Sequence, residues 1–65
     1  MDKTIAQRNK QRVEDTFRVL DLMEDVRDIW RDAAPLQNLS EESRAALTKK
    51  IEKARKALDR IEASL

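Results

Sequence analysis

The apolar residues between Val13 and Ala33 recur at helical spacing and form two neighbouring rows. The first row consists of Val19, Leu22, Val26, Ile29 and Ala33. The second row is displaced by one residue and consists of Val13, Thr16, Leu20, Met23, Arg27, Trp30 and Ala34, widened by Phe17. A helix that packs against one partner needs a single apolar stripe. Two adjacent rows therefore predict a helix that packs against two neighbours.

A second helix is predicted after a short break. Pro35 ends the first helix, because proline disfavours the helical conformation at the residue before it. Ser40 is a preferred N-cap residue for the second helix. That helix carries one narrow heptad row, formed by Leu47, Ile51, Ala54, Leu58, Ile61 and Leu65. The pattern predicts helix 1 over about 4–33, a loop over 34–39 and helix 2 over about 40–64.

The short loop predicts how the two helices pack. Connections of this length join antiparallel helices, so we expect an all-α, antiparallel two-helix hairpin, with residues 1–65 as a single domain. In the expected register the opposed pairs are Leu47 with Val26, Ile51 with Leu22 and Ala54 with Val19. Helix 2 then covers the first row of helix 1 and leaves the second row uncovered.

An uncovered apolar row marks an interaction surface. A domain of 65 residues is marginally stable alone, and this one has no Cys for disulfides. We therefore expect two hairpins to form a homodimeric four-helix bundle of coiled-coil type. The expected interface residues are Val13, Phe17, Leu20, Met23 and Trp30. Docking of a helix from a different protein, or an obligate place in a hetero-complex, are alternatives for the same row.

Two residues have roles that the pattern leaves open. Trp30 is either an interface anchor, since tryptophan is frequent in binding hot spots, or a plug at the end of the bundle beside the loop. Asp15 falls on the first row of helix 1. We expect it near the solvated edge, paired with Arg12, Arg55 or Arg60, because an unpaired buried carboxylate is costly.

Helix 1 carries a stripe of acidic residues and helix 2 a stripe of basic ones, although the whole chain has a net charge of only +1. An acidic stripe on helix 1 consists of Glu14, Asp21, Asp25, Asp28 and Asp32. A basic stripe on helix 2 consists of Lys49, Lys53, Lys56 and Arg60. Each is either a solvated face or a contact surface. The acidic stripe would dock a basic partner, and the basic stripe would contact the phosphates of nucleic acid.

Catalysis is not expected from this composition. The chain has no His and no Cys, which removes imidazole acid–base chemistry and thiolate metal sites. A small hairpin offers no deep pocket for a small-molecule substrate. We expect no enzyme activity, cofactor or bound metal. The chain has no apolar run long enough to span a membrane and no signal-peptide pattern, so no membrane association and a cytoplasmic location are expected.

The predicted architecture, a two-helix hairpin that dimerises into a four-helix bundle, is similar to that of the Rop family of plasmid-encoded RNA-binding proteins. The similarity lies in the layout of the helices, and no residue motif carries over. It implies a Rop-like regulator of RNA or DNA as the alternative function. The charges of this chain, rather than the similarity, indicate the basic stripe together with Arg8, Lys10 and Arg12 as the contacts for that function. The leading hypothesis is a regulatory or adaptor protein that binds a protein partner.

Overall fold

The computed structural model describes residues 3–33 and 38–65, and over these ranges it contains two α-helices and no strand. Helix α1 spans Lys3–Ala33 and helix α2 spans Glu41–Ala63. The two helices pack against each other, which confirms the predicted all-α hairpin. Residues 34–37 of the predicted loop, including Pro35, lie outside the described residues. The molecule is 54 Å long and about 15 Å across.

Helix α2 begins at a side-chain cap. The hydroxyl of Ser40 accepts a hydrogen bond of 3.1 Å from the backbone N–H of Ser43, which satisfies one of the free donors of the first turn. Glu41 and Glu42 occupy that turn, where the helix dipole favours anions. The predicted N-cap is confirmed.

Three side-chain contacts tie the helices together and show that they run antiparallel. Arg12 Nε donates to Ser64 Oγ at 2.8 Å, an Arg60 guanidinium nitrogen to Asp15 at 3.0 Å, and Lys50 Nζ to Asp25 at 2.9 Å. Low sequence numbers on α1 therefore meet high numbers on α2. These contacts shift the register by about two residues from the predicted one, because Lys50 lies beside Asp25 where the prediction put it level with Met23.

Each helix presents one row of residues to the other, and we call these the facing rows. On α1 the facing row consists of Arg12, Asp15, Val19, Leu22, Val26, Ile29 and Ala33, all buried or half-buried. On α2 it consists of Ser43, Leu47, Lys50, Ala54, Ala57, Ile61 and Ser64, also buried or half-buried. The first apolar row of α1 thus contacts α2, as the sequence predicts.

The predicted row of α2 is wrong at three positions. Ile51, Leu58 and Leu65 are 38%, 50% and 90% exposed and do not face α1. Helix α2 is instead rotated so that Ala54 and Ala57, 4% and 0% exposed, meet α1. Small side chains let two helix backbones approach closely, and the same rotation brings the polar ends of the facing rows into hydrogen-bonding range.

Candidate interaction surface

One long side of the hairpin is apolar and exposed to solvent. Its α1 residues are Val13, Phe17, Leu20, Met23 and Trp30, between 40% and 61% exposed. Its α2 residues are Ile51, Leu58 and Leu65. We call these eight residues the apolar side. Over the described ranges the buried hydrophobic residues are only Leu47, Ala54 and Ala57, so the chain exposes more large hydrophobic side chains than it buries.

The two helices contribute to the same side because of their handedness. On each helix most of the exposed apolar residues follow the facing row by one position, as Leu20 follows Val19 and Leu58 follows Ala57. One residue advances an α-helix by about 100°. Since the helices run in opposite directions, the advance is clockwise on one and anticlockwise on the other when viewed from one end. The two displaced rows therefore emerge on the same side of the hairpin.

The sequence-based prediction missed the contribution of α2 to this side. Ile51, Leu58 and Leu65 are spaced by seven residues and displaced by one from Lys50, Ala57 and Ser64. That displacement matches the one between the two rows of α1. The pair of alanines at positions 54 and 57, which suits a close helix contact, was the signal for the rotation of α2.

A shallow depression lies within the apolar side near the open end of the hairpin. It is lined by Arg12, Val13, Thr16, Phe17 and Leu20. All five lining residues belong to α1, and Phe17 is the most exposed of its large hydrophobic ones, at 61%.

The opposite side of the hairpin carries the two charged stripes. All residues of the acidic stripe and of the basic stripe are exposed, and each stripe precedes the facing row of its helix by one position. The handedness that unites the apolar rows therefore places both stripes together on the other side. Asp25 of the acidic stripe is bonded to Lys50 of the neighbouring helix. The stripes are neighbours of opposite sign, and each weakens the field of the other.

Asp15 lies among the facing rows with two polar partners, Arg60 and Gln11. Asp15 is only 4% exposed. Its carboxylate accepts hydrogen bonds from Arg60 at 3.0 and 3.3 Å and from Gln11 at 3.3 Å. The expected pairing with Arg60 is confirmed, and the expected position at a solvated edge is wrong. Hydrogen bonding to Arg60 lowers the pKa of Asp15 below its ordinary 3.8, against the opposing effect of burial.

A pH dependence of stability follows from this pair. A carboxyl group whose pKa is lower in the folded state stabilises the fold above its unfolded pKa and loses that effect as the pH falls through the folded pKa. We expect Asp15→Asn to melt at a lower temperature than the natural chain at neutral pH. The difference should shrink as the pH falls below 3.8. Thermal melting followed by circular dichroism at several pH values measures it.

Asp21→Asn is the matched control for that experiment. Asp21 belongs to the exposed acidic stripe and has the like-charged Asp25 one turn away, so its neutralisation should leave stability level or slightly higher. Melting curves for Asp15→Asn that stay parallel to those of the natural chain across the whole pH range would contradict a stabilising role for the Asp15–Arg60 pair.

The described residues contain no group of three or more acidic, His or Cys side chains placed to hold a metal ion. Neither of the two helices is long and apolar enough to cross a membrane. The sequence matches no protein-family model, and searches of curated proteins and of solved structures return no significant match.

Proposed function

We propose that this chain is a small cytoplasmic interaction protein, regulatory or adaptor in role, that forms a homodimer and acts by binding another protein. The observation that carries the proposal is the apolar side, which spans both helices while the buried core contains Leu47 and two alanines. Monomeric proteins rarely leave a contiguous apolar surface of this kind in water unless it is an interaction site.

The first occupant of this side is a second copy of the same chain. The whole hairpin is 54 Å long and about 15 Å across, so one of its long sides is comparable in area with the roughly 800 Å² that each partner buries in a standard protein interface. Burial of a large side chain such as Phe17 or Leu20 contributes about 1.5–3 kcal/mol. Two apolar sides in contact would supply the core that one hairpin lacks, as in other small domains that depend on oligomerisation.

This arrangement makes a four-helix bundle with its charges outside. When two apolar sides meet, each α1 gains a second neighbour, which accounts for its two apolar rows. Both charged sides then face solvent. A two-fold symmetric contact uses the same surface on both copies, so each apolar residue within the contact is buried once in each copy.

Nucleic acid is the alternative partner, because the basic stripe of α2 could contact phosphates. Within the described residues Lys49, Lys53 and Lys56 make no ion pair. Nucleic-acid binding needs a positive field along the contact surface. The acidic stripe of α1 lies on the same side of the hairpin and opposes that field, which favours a protein partner.

A gel-shift titration separates the two partner classes. We expect no shift of RNA or DNA by the natural chain at about 100 mM salt, where nonspecific phosphate contacts are weakened by counterion competition. A variant with Lys49, Lys53 and Lys56 all replaced by arginine keeps the charge and should behave identically. A gel shift that falls steeply with salt, and is lost when the three lysines become glutamates, would contradict the proposed protein partner and indicate nucleic acid instead.

A further inference from the structure

Trp30 stands apart from the rest of the apolar side. Arg27 interrupts the apolar row of α1 between Met23 and Trp30. The exposed large hydrophobic residues of α2 begin at Ile51 and continue toward the open end of the hairpin. Trp30 is 53% exposed at the loop end, beyond the zone in which both helices are apolar.

Three arginines occupy positions close to Trp30 in the sequence of α1 or in the register of the hairpin. Arg27 lies one turn before it and Arg31 follows it on α1. The register set by Lys50 and Asp25 places Ala45 of α2 level with Trp30, and Arg44, one residue nearer the loop, lies on the same side of the hairpin as Trp30 because it follows the facing-row residue Ser43. All three arginines are exposed. Arg27 is bonded to Asp28 at 3.1 Å with both side chains more than half exposed, and such surface pairs exchange at little cost.

We propose that Trp30, Arg31 and Arg44 form a separate recognition site, the Trp30 corner, for an acidic segment of another protein that carries an apolar anchor residue. The inference rests on the proposed function, for which it names the partner's chemistry. Tryptophan and arginine are the residue types most enriched in binding hot spots. Among the described residues neither Arg31 nor Arg44 makes an ion pair, so both are available to carboxylates.

A second copy is a poor occupant of the Trp30 corner. Covering it would bury Arg31 and Arg44, which make no ion pair among the described residues, against a surface that is apolar by composition, and desolvated charges without partners are strongly unfavourable. A carboxylate-rich segment supplies those partners and leaves the centre of the apolar side to the dimer. The site also has a single aromatic platform, whereas single-stranded nucleic acid is held by several aromatic side chains in succession.

The only tryptophan of the chain, in the absence of tyrosine, makes this site directly observable by fluorescence. In samples shown by light scattering to be dimeric, we expect the red-shifted emission of a hydrated indole. Relative to the quenching of free N-acetyltryptophanamide by the same ions, iodide should quench Trp30 more than caesium, because the nearby arginines attract the anion. Arg31→Glu combined with Arg44→Glu should reverse that preference. Blue-shifted emission that neither ion quenches would place Trp30 inside the dimer and overturn the inference.

The ligand arm uses a synthetic helical peptide with leucines at i, i+3 and i+7 and glutamates elsewhere, and a matched peptide with lysines. We expect the acidic peptide to shift the Trp30 emission to the blue and to protect it from iodide, and the basic peptide to do neither. The double variant at Arg31 and Arg44 should bind the acidic peptide at least about tenfold more weakly. Lys49→Glu with Lys53→Glu, the same charge change on the other side, should bind it normally.

Three results would overturn the Trp30 corner. They are no response to the acidic peptide, equal weakening by both double variants, and tighter binding of a single-stranded oligonucleotide than of the acidic peptide. Circular dichroism establishes that each variant is folded. A monomeric mass in light scattering would count against the proposed dimer alone, since the quenching and peptide results would still report on the Trp30 corner.

Discussion

Replacing Leu20 by aspartate is expected to dissociate the protein and to unfold the separated chains. Leu20 lies at the middle of the apolar side and is 56% exposed in a single chain. In a monomer an aspartate there would face water and cost little. In a dimer it would bury an unpaired carboxylate from each copy, at a cost of several kcal/mol per ion. Sedimentation and circular dichroism, each over a range of concentrations, measure the two effects.

Two further substitutions sharpen the Leu20→Asp experiment. Leu58→Glu should have the same effect, because the structure places Leu58 on the apolar side rather than against α1. Lys53→Asp, on the charged side, should leave assembly intact. A Leu20→Asp protein that sediments and melts like the natural chain would remove the apolar side from any role in assembly.

Enlarging Ala57 is expected to disrupt the packing between the two helices. Ala57 is 0% exposed and belongs to the facing row of α2, so a longer side chain at this position would be directed against α1. Ala57→Leu should destabilise the fold by about 1–3 kcal/mol, the usual range for overpacking. For a domain of this size that corresponds to a loss of roughly 4–8 °C in Tm per kcal/mol, which thermal melting detects.

Ala45→Leu is the control for Ala57→Leu. Ala45 lies on the same helix and is exposed, so the added side chain should change stability by less than about 0.5 kcal/mol. If the Ala57→Leu and Ala45→Leu variants melted at the same temperature, the helices would not be in the close contact that the rotation of α2 creates.

Much of the fold is readable from the sequence because local signals agree with each other. The spacing of Val19, Leu22 and Val26 predicts the row of α1 that contacts α2, and Ser40 marks the start of α2 through its capping hydroxyl. These features depend on residues close together in the chain. Patterns of that kind specify which elements form and which of their faces are apolar.

The rotation and register of α2 were not predictable in the same way. A heptad row drawn through Ile51 and Leu58 is as regular as the row through Lys50 and Ala57, and hydrophobicity alone favours the first. The structure adopts the second because Ala57 permits a close approach and Arg60 reaches Asp15 across the hairpin. Both effects are pairwise and tertiary, so neither is visible in the periodicity of one helix.

The candidate surface was accordingly predictable only in its α1 half. The second row of α1 marks Phe17 and Leu20 as unpartnered, whatever the orientation of α2. The half contributed by Ile51 and Leu58 depends on the rotation of α2. The distinction between Trp30 and the other residues of the apolar side depends in part on Arg44, whose position relative to α1 follows from the register.

The mass of the natural chain in solution tests the central claim, a homodimer formed through the apolar sides. Static light scattering at micromolar concentration is expected to give twice the chain mass of 7.6 kDa, with a melting temperature that rises with protein concentration, as mass action requires of a dimer whose chains fold together. A mass of one chain, with cooperative melting at a temperature independent of concentration, would contradict it.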